Sequence, residues 1–102
     1  MIDDPRELEG PILITGAGGF VGANLLRYLV GVRDDVVGIA RKNSWRLEGV
    51  DPQKIVSLNL ENGRALQALL EEVRPRTIFN LAAHGAYPTQ TDSVKIFAIS
   101  FE

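Results

Sequence analysis

The chain has 102 residues, which suffices for one domain with a single core but is too short for a two-domain enzyme. Its formal net charge of −2 gives no reason to expect binding to nucleic acid or to an anionic membrane. The absence of cysteine excludes disulfides and thiolate metal sites, and the single histidine excludes a histidine cluster for zinc. The acidic, polar N-terminus is not a secretion signal and no apolar run reaches bilayer length, so we expect a cytoplasmic protein.

The first strong signal along the chain is an apolar run that ends in a glycine-rich turn. Ile12 to Thr15 predict a first strand, and the turn at residues 16–19 contains three glycines. Apolar residues then recur at helical spacing from Phe20 to Val30, which predicts an amphipathic helix. A strand, a tight glycine turn and a helix in this order predict a pyrophosphate site, because glycine lets the backbone approach the phosphates and the helix N-terminus offers free N–H groups. A glycine turn without a ligand is the alternative interpretation.

The rest of the chain continues the alternation of strands and helices. Three further apolar runs predict strands, at residues 35–40, 54–58 and 77–82. A second amphipathic helix is predicted at 63–73, and Pro75 ends it. Because the strands are apolar on both faces, the pattern is typical of a parallel sheet covered by helices on each side. The predicted fold class is therefore α/β, with right-handed crossovers in a doubly wound sheet of strand order 3-2-1-4.

Two segments between and after these elements are less regular. Residues 41–52 are predicted to form a loop, with room for a short helical turn and with Trp45 and Leu47 as its apolar anchors. A last helix is predicted to begin near Asp92, where Thr89 and Asp92 are spaced as a helix cap. Its apolar residues continue to the end of the chain and are Val94, Ile96, Phe97, Ile99 and Phe101.

This assignment leaves the fourth strand without a neighbour on its outer side. Unpaired strand edges and uncovered apolar helix faces are typical association surfaces. We therefore expect the isolated chain to self-associate through the fourth-strand edge or through the last helix, including by exchange of that helix.

The glycines of the turn follow a particular spacing. The common dinucleotide fingerprint is G-x-G-x-x-G, whereas Gly16, Gly19 and Gly22 give T-G-x-x-G-x-x-G, with Gly18 as an additional glycine. This pattern resembles that of the extended short-chain dehydrogenase/reductase family, which includes nucleotide-sugar epimerases and dehydratases. The resemblance covers nearly the whole chain from Gly10 onward. It implies a Rossmann-like domain that binds a nicotinamide dinucleotide and, in the intact enzyme, acts on a nucleotide sugar.

The resemblance also implies which residues contact the cofactor. The phosphates would lie on the turn and on the start of the helix, at Gly16, Gly18, Gly19, Phe20 and Val21. Asn59 and Leu60 stand where the family usually has Asp-Leu beside the adenine, and an amide can still hydrogen-bond the adenine edge. Leu81, Ala82 and Ala83 resemble the family's Leu-Ala-Ala segment, whose backbone passes close to the ribose and nicotinamide side of the cofactor.

The end of the second predicted strand bears on the choice of cofactor. NAD enzymes place an Asp or Glu there to hold the adenosine ribose, but this chain has Ala40 followed by Arg41 and Lys42. A carboxylate would repel the 2′-phosphate of NADP, whereas two cations attract it and arginine can fork onto phosphate oxygens. We therefore predict that Arg41 and Lys42 favour NADP over NAD, with NAD still accepted. A solvated basic loop is the alternative interpretation.

The family's catalytic Tyr-x-x-x-Lys motif is absent from these residues. Four positions after Tyr28 stands Val32, and four positions after Tyr87 stands Thr91. No catalytic residue is therefore predicted. We expect residues 1–102 to be a single cofactor-binding portion of a longer enzyme, truncated before its catalytic and substrate-binding part, and to be inactive alone.

Two functional hypotheses from different classes remain open. In the favoured one, the chain is the cofactor-binding portion of a nucleotide-sugar epimerase or dehydratase, in which hydride passes between the sugar ring and the nicotinamide. The keto intermediate is then epimerised, dehydrated or reduced. In the alternative, the chain is a stand-alone dinucleotide-binding module with a regulatory or interaction role. A flavin-reductase-like member of the superfamily shares the glycine turn, but the Leu81-Ala82-Ala83 segment disfavours it.

Overall fold

The computed structural model describes residues 4–40 and 45–81 and the backbone of 95–98, which together form a parallel sheet with helices on both faces. The strands in chain order are β1 (Ile12–Thr15), β2 (Val36–Ala40), β3 (Ile55–Ser57), β4 (Thr77–Asn80) and β5 (Lys95–Ala98). The helices are α1 (Phe20–Val30) and α2 (Gly63–Val73), and short 3-10 turns lie at Pro5–Glu7, Trp45–Leu47 and Pro52–Lys54. In this described part, neither α1 nor α2 is long and apolar enough to cross a membrane.

The order of the strands in space is 3-2-1-4-5, with every pair parallel. The predicted order 3-2-1-4 and the α/β class are confirmed, and β5 adds a strand outside β4. β1 lies at the centre, between β2 and β4, and all four of its residues are buried. Ile12 and Ile14 belong to one core cluster and Leu13 to another, because successive side chains of a strand point to opposite faces. This double burial explains why β1 is a continuous apolar run.

The two helices pack on opposite faces of the sheet. Leu26 and Leu29 of α1 are fully buried in the cluster of Ile12, whereas Leu66 of α2 is buried in the cluster of Leu13. β2 contributes Gly38 beneath α1, where an added Cβ would lie 2.8 Å from the Leu26 side chain. The glycine in β2 therefore allows α1 to pack closely on the sheet.

Most of the predicted elements agree with the structure. The bounds of β1, α1 and α2 are those predicted, and β2, β3 and β4 lie within the predicted runs. Leu47 is an anchor of its loop, with 6% of its surface exposed, but the same prediction for Trp45 is wrong because that residue is 75% exposed. Leu47 reaches the core cluster on the α1 face, whereas Trp45, at the start of the same 3-10 turn, remains outside it. The size of an apolar side chain in a short turn does not by itself decide its burial.

The predicted last helix is wrong for the part of it that the structure describes. Lys95–Ala98 form strand β5, which pairs with β4 in the register Thr77 to Lys95 and Asn80 to Ala98. The apolar pair Ile96 and Phe97 fits either a helix or a strand, since a short apolar run does not distinguish the two by periodicity. The open edge of β4 offers a row of backbone hydrogen-bonding groups, and pairing with that edge decides in favour of the strand. The predicted cap at Thr89 and the rest of the segment lie outside the described residues.

β5 also removes one of the two reasons for the predicted self-association, while association itself stays a prediction. The prediction named an unpaired outer edge on β4 or the apolar last helix as the surface, but β4 is paired with β1 on one side and with β5 on the other. The premise that the outer edge of β4 is unpaired, on which association through this edge was expected, is therefore wrong.

Arg33 forms an ion pair within the connection between α1 and β2 and also joins that connection to the segment before β1. The Arg33 guanidinium donates to both carboxylate oxygens of Asp35, at 2.6 and 2.8 Å, and to the Leu8 carbonyl oxygen at 2.9 Å. The side chain of Arg33 is only 13% exposed, whereas that of Asp35 is 41% exposed. The hydrogen bonds from Arg33 lower the pKa of Asp35 below its ordinary value. The pair therefore stabilises the fold while Asp35 is ionised.

We expect Asp35→Asn to reduce stability at neutral pH by about 0.5–1 kcal/mol, the range of a partly exposed pair. A carboxyl group whose pKa is lowered by folding stabilises the fold above its unfolded pKa, and this contribution is lost as the pH falls through the folded value. Urea unfolding between pH 7 and pH 3 should therefore show a weaker loss of stability on acidification in the variant. Some loss will remain, since Arg6 lowers the pKa of Asp4 in the same way. Asp34→Asn, at the adjacent exposed carboxylate, is the control, and an equal acid response in all three proteins would contradict the prediction.

Candidate functional site

The candidate site lies at the edge of the sheet where the parallel strands end. β2 and β3 lie on one side of β1, whereas β4 and β5 lie on the other. The strand order thus reverses between β1 and β4. In open α/β sheets, ligands bind in the crevice beyond the carboxyl ends of the strands at such a reversal. The glycine turn follows β1 directly, so the predicted phosphate site and this crevice coincide.

The glycine turn is held in shape by its own backbone. Gly16 has a φ of 70°, in the left-handed region that favours glycine. The N–H of Ala17 donates to the Ile39 carbonyl oxygen of β2 at 2.9 Å, and the N–H of Gly19 donates to the Gly16 carbonyl oxygen at 3.1 Å. The turn is therefore tied to β2 before it enters α1.

Gly22 is the residue that allows α1 to begin directly on this turn. A Cβ added at Gly22 would fall on the Gly16 carbonyl oxygen and lie 2.9 Å from the Ala17 Cα. Both contacts are with backbone atoms, which can yield only if the turn moves. Gly22 was recognised in the glycine pattern but not among the predicted site residues. Its role is to let helix and turn pack together, which places the helix N-terminus at the end of β1.

The N-terminus of α1 presents backbone N–H groups without a side-chain cap. Its N-cap residue is Gly19, which has no side chain to accept hydrogen bonds, and the first turn of α1 contains no acidic residue. In α2, by contrast, the Asn62 side chain accepts from the Ala65 N–H at 3.2 Å. The first N–H groups of a helix have no intrahelical partner. At α1 these groups belong to Phe20 and Val21, and with the positive end of the helix dipole they suit an anion.

The structure brings five of the predicted site residues together at this turn. Gly19 is exposed, the side chain of Phe20 is 70% exposed, and Gly16, Gly18 and Val21 are half-buried. The N-terminus of α1 is thus open to solvent at the crevice. An anion could reach the backbone N–H groups without displacing a core side chain.

A buried polar contact connects the ends of β1 and β4. The Thr15 hydroxyl donates to the Asn80 side-chain oxygen at 3.0 Å and accepts from the Leu81 N–H at 3.2 Å. Thr15 is fully buried and stands opposite Asn80 in the strand register. This contact fixes the backbone of Leu81 beside the glycine turn. The sequence signal was a threonine and an asparagine each ending an apolar strand, but their pairing depends on register and was not predicted.

The structure places the adenine-side residues in different environments. Asn59 is exposed, and its side-chain oxygen accepts from the Glu61 N–H at 2.9 Å. Leu60 is 8% exposed and packs in the core cluster on the α2 face, so its side chain is a core residue rather than part of an open site. Leu81 is half-buried against the cluster on the α1 face. The four remaining predicted site residues lie outside the described residues and are Arg41, Lys42, Ala82 and Ala83.

Comparisons with known proteins agree with this arrangement. A model of the NAD dependent epimerase/dehydratase family matches residues 12–99. ADP-L-glycero-D-manno-heptose-6-epimerase from Helicobacter pylori is 29% identical over 80% of this chain and 29% of its own, with a TM-score of 0.64. L-threonine 3-dehydrogenase from Trypanosoma brucei is 23% identical over 72% of this chain and 24% of its own, with a TM-score of 0.65. The Bordetella bronchiseptica enzyme WbmG, solved with NAD and UDP, is 24% identical over 86% of this chain and 29% of its own, with a TM-score of 0.63.

The chain therefore spans between 24 and 29% of the length of these solved structures. At 23 and 24% identity, the likenesses to the dehydrogenase and to WbmG show a common fold. The family model covers most of the sequence, including the glycine turn, β1 to β5 and both helices. The resemblance inferred from the glycine spacing is thus confirmed: the chain belongs to the NAD-dependent epimerase/dehydratase family.

Proposed function

We propose that this chain binds a nicotinamide dinucleotide as the cofactor-binding portion of a nucleotide-sugar epimerase or dehydratase. The observation that carries the proposal is the uncapped N-terminus of α1, which opens on the crevice between β1 and β4. In this proposal the pyrophosphate accepts hydrogen bonds from the N–H groups of Phe20 and Val21. Gly19 leaves room for it, because a side chain at that position would stand between the phosphates and the helix.

The relatives support this cofactor and this substrate class. WbmG was solved with NAD and UDP, and the Helicobacter pylori protein is an epimerase of an ADP-linked heptose. The Trypanosoma brucei protein is a threonine dehydrogenase, so the fold also serves a substrate that is not a nucleotide sugar. The proposal favours the nucleotide sugar because the chain belongs to the epimerase/dehydratase family and because the heptose epimerase, at 29% identity, acts on such a substrate.

The residues of this chain would bind and orient the cofactor rather than react. The bound dinucleotide supplies hydride transfer at its nicotinamide. The turn and α1 would hold its phosphates, and the Leu81 backbone, fixed by Thr15, would border its nicotinamide side. The catalytic Tyr-x-x-x-Lys pair is not among the 102 residues. We therefore propose that residues 1–102 act as one cofactor-binding unit and that turnover requires residues outside them.

The proposed cofactor preference gives the first test. We expect the chain to bind NADP more tightly than NAD, and we expect Arg41→Ala to reduce the preference by about ten- to a hundredfold, since a charged hydrogen bond contributes about 1.5–3 kcal/mol. Isothermal titration calorimetry with both dinucleotides measures the ratio. Arg64→Ala removes the same charge from the exposed surface of α2 and is the matched control. Binding of neither dinucleotide would overturn the proposed function, whereas equal or tighter binding of NAD would overturn only the role of Arg41 and Lys42.

A further inference from the structure

We propose that the adenine ring of the cofactor stacks on Trp45, in a cleft between α1 and the 3-10 turn Trp45–Leu47. The inference rests on the proposed function, because it gives one end of the same dinucleotide a place on this chain. It departs from the family resemblance, which implies adenine beside Asn59 and Leu60. Leu60 is 8% exposed within the core, and the Asn59 side-chain oxygen already accepts from the Glu61 N–H. Neither side chain is therefore an open platform for a base.

The cleft begins at the N-terminus of α1, where the phosphates are proposed to bind. Phe20 is the first residue of α1 and also lines the cleft, so the cleft and the phosphate site are continuous. The volume of about 230 Å³ is below the roughly 300–1,000 Å³ of sites that enclose a whole drug-sized ligand, and it suits one end of a dinucleotide. The described residues that line the cleft are Phe20, Ala23, Asn24, Arg27, Trp45 and Arg46.

Trp45 gives this cleft a large aromatic surface. Its ring is 75% exposed, although the Arg46 guanidinium lies 4.7 Å from the ring centroid. The guanidinium covers one face of the ring, and the high exposure leaves the other face accessible. Every base has a π-face that stacks on an aromatic side chain, and this stacking tolerates differences in sequence and substituents. Trp45 can therefore hold a base without displacing a core residue.

The turn that carries Trp45 is held on both sides. Leu47 is 6% exposed and belongs to the core cluster on the α1 face. The Arg27 Nη2 atom of α1 donates to the carbonyl oxygen of Arg46 and, at 2.8 Å, to that of Glu48. An aromatic side chain on an anchored turn loses less freedom on binding than one on a loose loop, so more of the stacking free energy appears as affinity.

Charge and position assign the cleft to the adenosine end of the cofactor rather than to its nicotinamide end. Arg27 and Arg46 are cationic, and none of the described lining residues is acidic. The oxidised nicotinamide ring carries a positive charge, which these two arginines repel, whereas adenine is neutral. The turn follows β2, on the β3 side of β1, whereas Leu81 follows β4 on the other side. A pyrophosphate at the α1 N-terminus would lie between these two positions.

The test titrates the full chain with NADP, with adenosine diphosphate for the adenosine half and with nicotinamide mononucleotide for the other half. Trp45 is the only tryptophan of the sequence, so its fluorescence reports on the cleft directly. We expect NADP and adenosine diphosphate to quench this fluorescence and nicotinamide mononucleotide to leave it unchanged. The quenching is measured on the unaltered chain and does not depend on the folding of any variant.

Calorimetry of Trp45→Ala and Trp45→Phe gives the second readout. Trp45→Ala should weaken binding of NADP and of adenosine diphosphate by about five- to a hundredfold, the range for one stacked base, and Trp45→Phe should recover part of the loss. Tyr28→Ala is the matched control, because Tyr28 is an aromatic residue of α1 that is 57% exposed and does not line the cleft. We expect it to bind both ligands as the unaltered chain does.

The outcomes separate this inference from the proposed function. If the unaltered chain binds neither NADP nor NAD, the proposed function fails, and the adenine site fails with it. If NADP binds without quenching Trp45 and Trp45→Ala leaves its affinity unchanged, the adenine site is overturned and the proposed function stands. Equal losses of affinity in Trp45→Ala and Tyr28→Ala would also overturn the adenine site, since general stability rather than stacking would then set the affinity.

Discussion

Gly19→Val is expected to abolish dinucleotide binding and to leave the chain folded. The backbone at Gly19 is extended, with φ −81° and ψ 175°, so a valine can adopt it without strain. An added Cβ would meet only the Gly16 carbonyl oxygen, at an ordinary contact distance of 3.5 Å. The valine side chain would instead occupy the space in front of the helix N-terminus. Losing two charged hydrogen bonds of about 1.5–3 kcal/mol each would weaken binding by more than about a hundredfold.

Calorimetry with NADP and NAD, together with circular dichroism and thermal unfolding, checks this prediction. Gly63→Val is the matched control, because Gly63 is the first residue of α2 and has nothing within 4 Å of an added Cβ. Unchanged binding by a folded Gly19→Val chain would remove the phosphate site from the turn. Gly16 is less suited to this test, since its φ of 70° makes any side chain there strained and would mix a folding defect with a binding defect.

Gly22→Ala is expected to have its main effect on folding. The added Cβ would fall on the Gly16 carbonyl oxygen and lie 2.8 Å from the Gly16 carbonyl carbon, so either α1 or the turn must shift. Overpacking of this kind costs about 1–3 kcal/mol and sometimes more. Because the atoms that the Cβ meets are backbone atoms of the turn, we expect Gly22→Ala to cost about 3 kcal/mol or more. In a domain of this size, that loss lowers the melting temperature by roughly 10–20 °C.

Differential scanning calorimetry of Gly22→Ala beside Gly31→Ala gives the comparison. Gly31 follows α1 in a right-handed helical conformation, and its nearest contacts for an added Cβ lie at 3.4 Å. We expect Gly31→Ala to unfold close to the temperature of the unaltered chain. If Gly22→Ala also unfolds close to the melting temperature of the unaltered chain, α1 and the glycine turn do not require the close approach that the structure shows.

The parts of the fold that could be predicted are those in which a local signal and a long-range constraint agree. An apolar run, a glycine turn and a helical period predict β1 and α1. In the folded chain both elements begin and end at the predicted residues. The last segment was mispredicted because the run around Ile96 and Phe97 is apolar without a decisive period, and pairing with β4 decides its conformation. Trp45 was misplaced for a related reason. Burial of a turn residue depends on which side of the turn meets the core.

The features of the candidate site likewise divide into those that could be predicted from the sequence and those that could not. The glycine turn could be recognised because its glycines serve backbone geometry, which a sequence pattern records directly. The contact between Thr15 and Asn80 could not be predicted, since it depends on the register of β1 against β4, across 65 positions of the chain. The hydrogen bonds from Arg27 to the carbonyl oxygens of Arg46 and Glu48 could not be predicted either, because every residue carries a main-chain carbonyl.

The position of the glycine turn has a consequence for the energetics of the whole domain. The turn begins one peptide bond after Thr15, the last residue of the central strand, which is buried on both faces and paired on both sides. Such strands open only when the entire domain unfolds, whereas peripheral turns open locally at little cost. A ligand held at this turn is therefore linked to global rather than local unfolding. By mass action, occupancy at a hundred times the Kd would add about 2.7 kcal/mol to the stability of the domain as a whole.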